Sequence, residues 1–138
     1  MEERPFSDHS FERFLDEEKL VGSRCQQCGT LYSPPRLICV KCYGSAMEWV
    51  ELGGEGRLVA FTCIYVGPPF MIAEGYDRQK PYIVGVVELQ EGVRVDARIE
   101  GIDAANPEAI LIGTPLVVEF LHHGDGENRR SVLAFRPR

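Results

Sequence analysis

Short apolar runs separated by turn residues fill the second half of the chain. The runs are rich in Val, Ile, Phe and Tyr, which favour β-strands. Residues 90–92 join the second run to the third as a short hairpin, and an insert at 103–113, in which Pro107 can open a helical turn, precedes the fourth run. Five strands with this single insert predict a small Greek-key barrel of the OB type. The predicted strands cover residues 58–66, 82–89, 93–101, 115–123 and 131–137.

The first residues of the chain follow a helical period instead. Ser7 or Ser10 can cap a helix at its start, and we expect Gly22 to end it. One face of this helix is apolar, and we expect it to pack on whatever follows, with a partner-facing stripe as the alternative. The apolar face consists of Phe11, Phe14 and Leu15.

Four of the five cysteines form two Cys-x-x-Cys pairs, and this spacing is typical of a metal site. A disulfide framework would spread its cysteines to link distant loops, whereas two close pairs can place four thiolates on one ion. A glycine follows each pair closely and lets the backbone turn its amide groups toward the sulfurs. The predicted ligands are Cys25, Cys28, Cys39 and Cys42.

A site with four thiolates indicates zinc in a structural role. Full coordination leaves no open position for water or substrate, which catalytic zinc usually keeps. A module of about 20 residues buries too little apolar surface to fold alone, so metal binding would stabilise it. A rubredoxin-like iron site uses the same ligands and is the alternative.

These signals predict a mainly β chain in three parts. Residues 1–23 form an N-terminal helical segment, residues 24–52 a zinc ribbon, and residues 53–138 an OB-fold domain.

Charge and composition narrow the class of protein. The chain has 138 residues and a net charge of −6, and each of its halves, 1–52 and 53–138, contributes −3. Nucleic-acid binders normally present a basic surface, so a single-stranded nucleic-acid binder, with Phe61, Tyr65 and Tyr82 as stacking groups, is only an alternative. Neither a signal peptide nor a membrane span is evident, and we expect a cytoplasmic protein.

Catalytic residues are not evident in the sequence. No nucleophile elbow, phosphate loop or HExxH pair occurs. His122 and His123 are adjacent on a predicted strand, point to opposite faces and are expected to be solvated. Cys63 is expected to be a small buried side chain rather than a reactive thiol. We therefore predict that the chain has no catalytic residues of its own.

The connection between the first two barrel strands carries unusual apolar content. Prolines stiffen it at 68, 69 and 81, and connections normally lie on the surface. Its apolar side chains predict either a contact site for a partner or CoA, or a segment folded over the barrel mouth. The residues concerned are Phe70, Met71, Ile72 and Tyr76.

The ordered succession of motifs resembles the small zinc-ribbon/OB-fold proteins associated with acyl-CoA enzymes. The resemblance covers nearly the whole chain. The matching segments are Phe11 and Phe14, Cys25-x-x-Cys28-Gly29, 33–36, Cys39-x-x-Cys42, 49–51, 56–62, 81–84, 87–89, 91–94, 112–113 and 135–137.

The resemblance implies a helical piece, a rubredoxin-like zinc ribbon and an OB barrel. It also implies a non-catalytic subunit in a hetero-oligomer with a thiolase-fold enzyme, which it braces and whose CoA tunnel it can border. The alternative partners are acyl-CoA hydratases and aldolases. A stand-alone CoA-binding protein is a third hypothesis, in which Arg129 and Arg130 would hold the CoA phosphates, although two adjacent arginines near a hairpin are more often solvated.

Overall fold

The computed structural model describes residues 4–124 and 130–138 and contains two short helices, a 3-10 turn and eight strands. The helices are α1 (Asp8–Asp16) and α2 (Pro69–Ala73), and the 3-10 turn is Pro107–Ala109. The strands are β1 (Val21–Cys25), β2 (Leu31–Tyr32), β3 (Met47–Glu51), β4 (Glu55–Ile64), β5 (Tyr82–Leu89), β6 (Arg94–Ile99), β7 (Pro115–His123) and β8 (Arg130–Pro137).

Helix α1 begins at the predicted cap but ends earlier than expected. The Ser7 hydroxyl accepts a hydrogen bond from the Ser10 backbone N–H at 3.2 Å. The helix stops at Asp16, and Glu18 follows with φ of 60°. The expectation that Gly22 ends the helix is wrong, because Gly22 lies within β1. A Cβ there would meet the Tyr32 carbonyl oxygen at 2.5 Å, so close strand pairing requires the glycine.

Strands β1, β2 and β3 form a small antiparallel sheet in the order β2-β1-β3. Ser23 pairs with both Tyr32 and Trp49, so β1 is the central strand. Cys25 is the last residue of β1. The sheet thereby fixes the first cysteine of the metal-binding segment.

The remaining five strands close into a barrel in the order β4-β5-β6-β8-β7, which confirms the predicted OB-type architecture. Strands β6 and β8 pair in parallel, and the other pairs are antiparallel. Gly92, with φ of 92°, closes the predicted hairpin between β5 and β6. The barrel interior is apolar, with Leu58, Val87, Leu116 and Phe135 fully buried.

The N-terminal segment packs on both parts of the molecule. Phe11 and Leu15 contact the barrel core, and Phe14 is also buried, so the helix face packs inward as expected. The Trp49 ring of β3 lies 4.7 Å from Phe6 and 5.0 Å from Phe14, measured between ring centroids. Within the described residues, no helix is long and apolar enough to cross a membrane.

Candidate metal centre

The four predicted ligands converge at one point of the small sheet. All four Sγ atoms lie within 4.8 Å of one another, with Cys25–Cys42 and Cys28–Cys39 separations of 3.5 Å. Sulfurs around a tetrahedral zinc with bonds of 2.3 Å would be about 3.8 Å apart. No disulfide forms among the five cysteines. The donor set and its spacing therefore fit one soft metal ion.

Each Cys-x-x-Cys pair forms a tight turn, which we call a knuckle. In the first knuckle the Gly29 N–H donates to the Cys25 carbonyl at 2.8 Å, and in the second the Tyr43 N–H donates to the Cys39 carbonyl at 2.9 Å. Both turns end on a left-handed residue, Gly29 at 81° and Tyr43 at 60°. The expected glycine of the second knuckle, Gly44, is not the left-handed residue, but its amide hydrogen-bonds the Cys42 sulfur as predicted, and a Cβ there would meet Gln27 Oε1 at 2.6 Å.

Tyr32 supports the site from β2. Its hydroxyl lies 3.4 Å from Cys39 Sγ and accepts a hydrogen bond from the Val40 N–H at 3.1 Å. Hydrogen bonding by Tyr32 and by neighbouring backbone amides lowers the pKa of the Cys39 thiol to about 6. A depressed thiol pKa favours the thiolate, which is the form that binds metal. Sequence reasoning did not single out this tyrosine.

The pKa values of the Cys28 and Cys42 thiols are shifted in opposite directions. The Thr30 hydroxyl lies 3.2 Å from Cys28 Sγ and lowers the pKa of that thiol. The Gly44 amide lowers the pKa of Cys42, but hydrogen bonding to Cys25 and burial outweigh it and raise that pKa to about 12. Close thiols compete for protons in this way, and a bound cation would displace those protons.

The arrangement of the four thiols favours a metal ion with a full coordination shell. Cys25 and Cys39 are fully buried, Cys42 is half-buried and Cys28 is exposed. Four thiolates fill a tetrahedral coordination shell, so the arrangement can hold an ion but offers substrate no ligand position. Zinc and iron share this ligand set.

The predicted contact residues of the barrel loop separate into two groups. The loop folds into α2, where Met71 is buried and Phe70 and Ile72 are more than half exposed. The Tyr76 hydroxyl accepts a hydrogen bond from Arg98 Nη2 at 3.2 Å. Two of the four predicted residues thus fasten the loop, and two face solvent.

A partly buried ion cluster at the end of α2 was not predicted. Glu74 lies between Arg98, at 3.2 Å, and Arg130, and the Arg130 guanidinium also lies 4.7 Å from the Phe70 ring centroid. Burial alone would raise the pKa of Glu74, but the hydrogen bonds and charges of Arg130 and Arg98 hold it below its ordinary value. No signal in the sequence indicates this cluster, because its members are far apart in the chain.

The remaining candidates lie away from the cysteines. Arg130 pairs with Glu74 rather than being solvated, and Arg129 lies outside the described residues. The His122 ring nitrogens lie 2.8 Å from Ser131 Oγ and 3.2 Å from Glu18 Oε1, whereas His123 is half-buried. Burial raises the pKa of the half-buried Cys63 thiol, which disfavours its thiolate. In the part of the chain that the structure describes, the four cysteines are the only group arranged to hold a metal.

Comparison with known proteins places the chain in a family. Residues 14–48 match the rubredoxin-like zinc ribbon domain of ChsH2, and residues 49–121 match the C-terminal OB-fold domain of ChsH2. The chain belongs to the ChsH2 family. The family therefore accounts for both the cysteine cluster and the barrel, and confirms the resemblance seen in the sequence.

Relatives of this ChsH2-family chain are named as a scaffold protein, a thiolase subunit and part of an aldolase. A DUF35 domain-containing scaffold protein of Methanocaldococcus jannaschii is 34% identical over 102 residues, which are 73% of this chain and 67% of the relative. The benzoylsuccinyl-CoA thiolase subunit BbsA of Thauera aromatica is 34% identical over 82 residues, 59% of this chain and 52% of BbsA. A solved structure, the Ltp2-ChsH2(DUF35) aldolase, superposes with a TM-score of 0.76 at 29% identity, covering 99% of this chain and 98% of that one.

Proposed function

We propose that this chain is a non-catalytic, zinc-binding accessory subunit of a thiolase-type acyl-CoA enzyme, which it braces in a hetero-oligomer. The observation that carries the proposal is the 34% identity with a thiolase subunit, BbsA. In this proposal Cys25, Cys28, Cys39 and Cys42 hold one structural zinc ion, and the acyl-CoA chemistry takes place on the partner chain.

The shape of α2 supports a contact role. Phe70 and Ile72 are exposed on a turn that Met71 and the Glu74 cluster fasten to the barrel. Exposed apolar side chains on an anchored element are typical of an interface, since little conformational freedom is lost on binding. We place the partner, and the CoA at its tunnel, against Phe70 and Ile72.

An aldolase partner is the second candidate. The likeness to the Ltp2-ChsH2(DUF35) aldolase extends over 99% of this chain, so the same surfaces could serve a different acyl-CoA enzyme. The identity of the captured enzyme distinguishes the two candidates. A nucleic-acid partner has less support, because the chain is net −6.

Affinity capture tests the proposal. The tagged full chain is incubated with native extract at about 50 mM and about 150 mM salt, the range over which charge contacts weaken, and the eluate is analysed by mass spectrometry. We expect a thiolase-fold enzyme as the main partner. Recovery of an aldolase would select the second candidate, recovery of an acyl-CoA hydratase would select that alternative partner instead, and recovery of no acyl-CoA enzyme at either salt concentration would refute all of them.

Matched variants then test the surface. Phe70→Ser with Ile72→Ser should reduce the captured enzyme at least about tenfold, in line with the loss of central apolar contacts. Leu111→Ser with Ile112→Ser is the control, because these side chains are equally exposed at the insert before β7. Equal capture by both double variants would place the interface elsewhere.

A further inference from the structure

The two knuckles have the same backbone but opposite surface chemistry. Both close with the same hydrogen bond and both end on a left-handed residue. The first displays Gln26, Gln27 and Gly29 at the positions where the second displays Val40, Lys41 and Tyr43. Metal binding makes the same demands on both turns, so it does not explain the apolar side chains of the second.

Four large apolar side chains are exposed on and beside the second knuckle, and we call them the knuckle patch. The exposed fractions are 60% for Leu37, 52% for Ile38, 54% for Val40 and 81% for Tyr43. They fall within seven consecutive residues, and the cysteines between them fix the turn that carries them. The patch is therefore confined to one short segment, and metal binding would hold its backbone in shape.

Tyr43 occupies an unfavourable position for its type. The left-handed conformation suits glycine, as at Gly29, whereas a bulky side chain is strained there. Within the described residues, its ring forms no aromatic or cation–π contact. Neither packing nor backbone preference accounts for this tyrosine, so its exposed ring is a candidate for an external contact.

The segment that carries the patch has a net positive charge, whereas the rest of the chain is net negative. Residues 19–47 contain four of the 15 Lys and Arg residues and none of the 21 Asp and Glu residues, so the remainder has 11 cations against 21 anions, net −10. Four thiolates on a divalent ion contribute about −2, which leaves residues 19–47 at about +2, and Glu48 and Glu51 of β3 lie just beyond this segment. Arg36 and Lys41 are exposed beside the patch.

We propose that the knuckle patch docks into an apolar groove, rimmed by Asp and Glu carboxylates, on the acyl-CoA enzyme of the proposed function, on which this inference rests. Tyr43 is the anchor, and Arg36 and Lys41 pair with the rim. This surface is additional to Phe70 and Ile72 of α2. The metal's role in the complex is to hold the anchor in place.

A protein groove fits the patch better than a polyanion does. Three of the four exposed side chains are aliphatic and offer bases no stacking surface. The small net charge of the metal-bound ribbon is also weak for attraction to nucleic acid or to an anionic bilayer. Binding to nucleic acid and binding to an anionic bilayer are therefore treated as outcomes of the test.

The decisive variant gives the second knuckle the side chains of the first: Val40→Gln, Lys41→Gln and Tyr43→Gly. We expect this variant to keep one metal ion per chain, because its four cysteines are unchanged. Its Tm should be unchanged or raised, because glycine relieves the strain at position 43. We expect the affinity for the purified partner enzyme to fall at least about tenfold. Gln26→Ala, on the first knuckle, is the matched control and should change that affinity less than about twofold.

Single variants keep the test decisive if the triple variant loses its metal. Tyr43→Gly alone, with metal retained, should weaken the complex, and Lys41→Glu should weaken it most at low salt. Binding of the metal-loaded triple variant within about twofold of wild type would overturn this inference alone. Failure of wild type to bind any acyl-CoA enzyme would overturn the proposed function with it. Patch-dependent binding to phosphatidylserine vesicles or to single-stranded DNA would reassign the surface and overturn the inference.

Discussion

At the residue scale, the Tyr32 side chain helps to keep the Cys39 thiol in the form that binds a metal. The Tyr32 hydroxyl contacts Cys39 Sγ and is itself held by the Val40 N–H. The nearby thiolate in turn raises the pKa of Tyr32, so this hydroxyl keeps its proton and can donate it to the sulfur. Outer hydrogen bonds of this kind orient a ligand and stabilise its charged form.

Tyr32→Phe should therefore weaken the metal site without removing a ligand. We expect the zinc affinity, measured by competition with a chromophoric chelator at neutral pH, to fall about 10-fold to 100-fold. Because the pKa of Cys39 would rise, protons should displace the metal at a higher pH than in wild type.

Tyr65→Phe is the control for that experiment, since Tyr65 lies beyond the end of β4 and is not among the residues that pack around Cys25 and Cys39. An unchanged affinity and an unchanged pH of metal release in Tyr32→Phe would show that the hydroxyl has no such role.

At the element scale, α2 depends on ions rather than on its own length. A five-residue helix is not stable alone, and Met71 is its only buried residue. Glu74 connects α2 to β6 through Arg98 and to β8 through Arg130. Together with buried Met71 and the Tyr76–Arg98 hydrogen bond, this carboxylate therefore holds Phe70 and Ile72 in their orientation.

Glu74→Gln should destabilise the protein in a pH-dependent way. The pKa of Glu74 is lower in the folded state than its ordinary value of about 4.5, so the folded state favours the ionised form. The stabilisation is fully present above the unfolded pKa and is lost as pH falls through the folded pKa. We expect a loss of about 2 kcal/mol at pH 7 that shrinks below about pH 4.5, measured by urea unfolding.

Glu88→Gln provides the comparison, because Glu88 also pairs with two arginines, Arg57 and Arg94, but these are exposed. Its loss should be smaller. A Glu74→Gln loss that stayed constant between pH 7 and pH 3 would contradict an ionic cause.

At the scale of the whole molecule, the chain has two cores with different means of support. The barrel core, with Leu58, Val87 and Phe135, is held by apolar packing, whereas the ribbon core contains Cys25, Cys39 and Met47. Because the second core is so small, we expect it to need a bound metal for stability. The only tryptophan, Trp49, lies on β3 beside it, and its Nε1 donates to the Arg4 carbonyl at 3.0 Å.

Removing the metal should consequently disorder one part of the molecule and spare the other. With excess chelator we expect Trp49 fluorescence to shift to the red, as β3 separates from Phe6 and Phe14. Hydrogen exchange should rise in 21–51 and stay slow in β5 and β7.

The Cys63→Ser variant should respond to the chelator as wild type does, because Cys63 is not a ligand. Fluorescence that did not change on verified metal loss would mean that the ribbon is held by something other than its ion.

Local chemistry made the metal site and the barrel predictable from the sequence. Cys25 and Cys28, like Cys39 and Cys42, are three positions apart, so each pair can reach one ion whatever the rest of the chain does. Strand runs such as 82–89 are likewise recorded in residue type and alternation. The prediction that α1 ends at Gly22 was wrong. Gly22 permits the close pairing of β1 with β2, and a local sequence pattern cannot distinguish this use of glycine from the end of a helix.

Only the tertiary structure decided which residues meet across long separations. Glu74 contacts Arg98 and Arg130, which are 24 and 56 positions further along the chain, and no local pattern records such contacts. The contact of Tyr32 with Cys39 and the division of the loop into buried Met71 and exposed Phe70 likewise depend on how the folded segments pack. The sequence by itself determined which four cysteines cluster, the strand runs and the family, because these are recorded in short spacings, residue types and the order of motifs. Closure of the barrel determined the ion cluster around Glu74 and the exposure of Phe70 and Ile72, because it brings distant segments together.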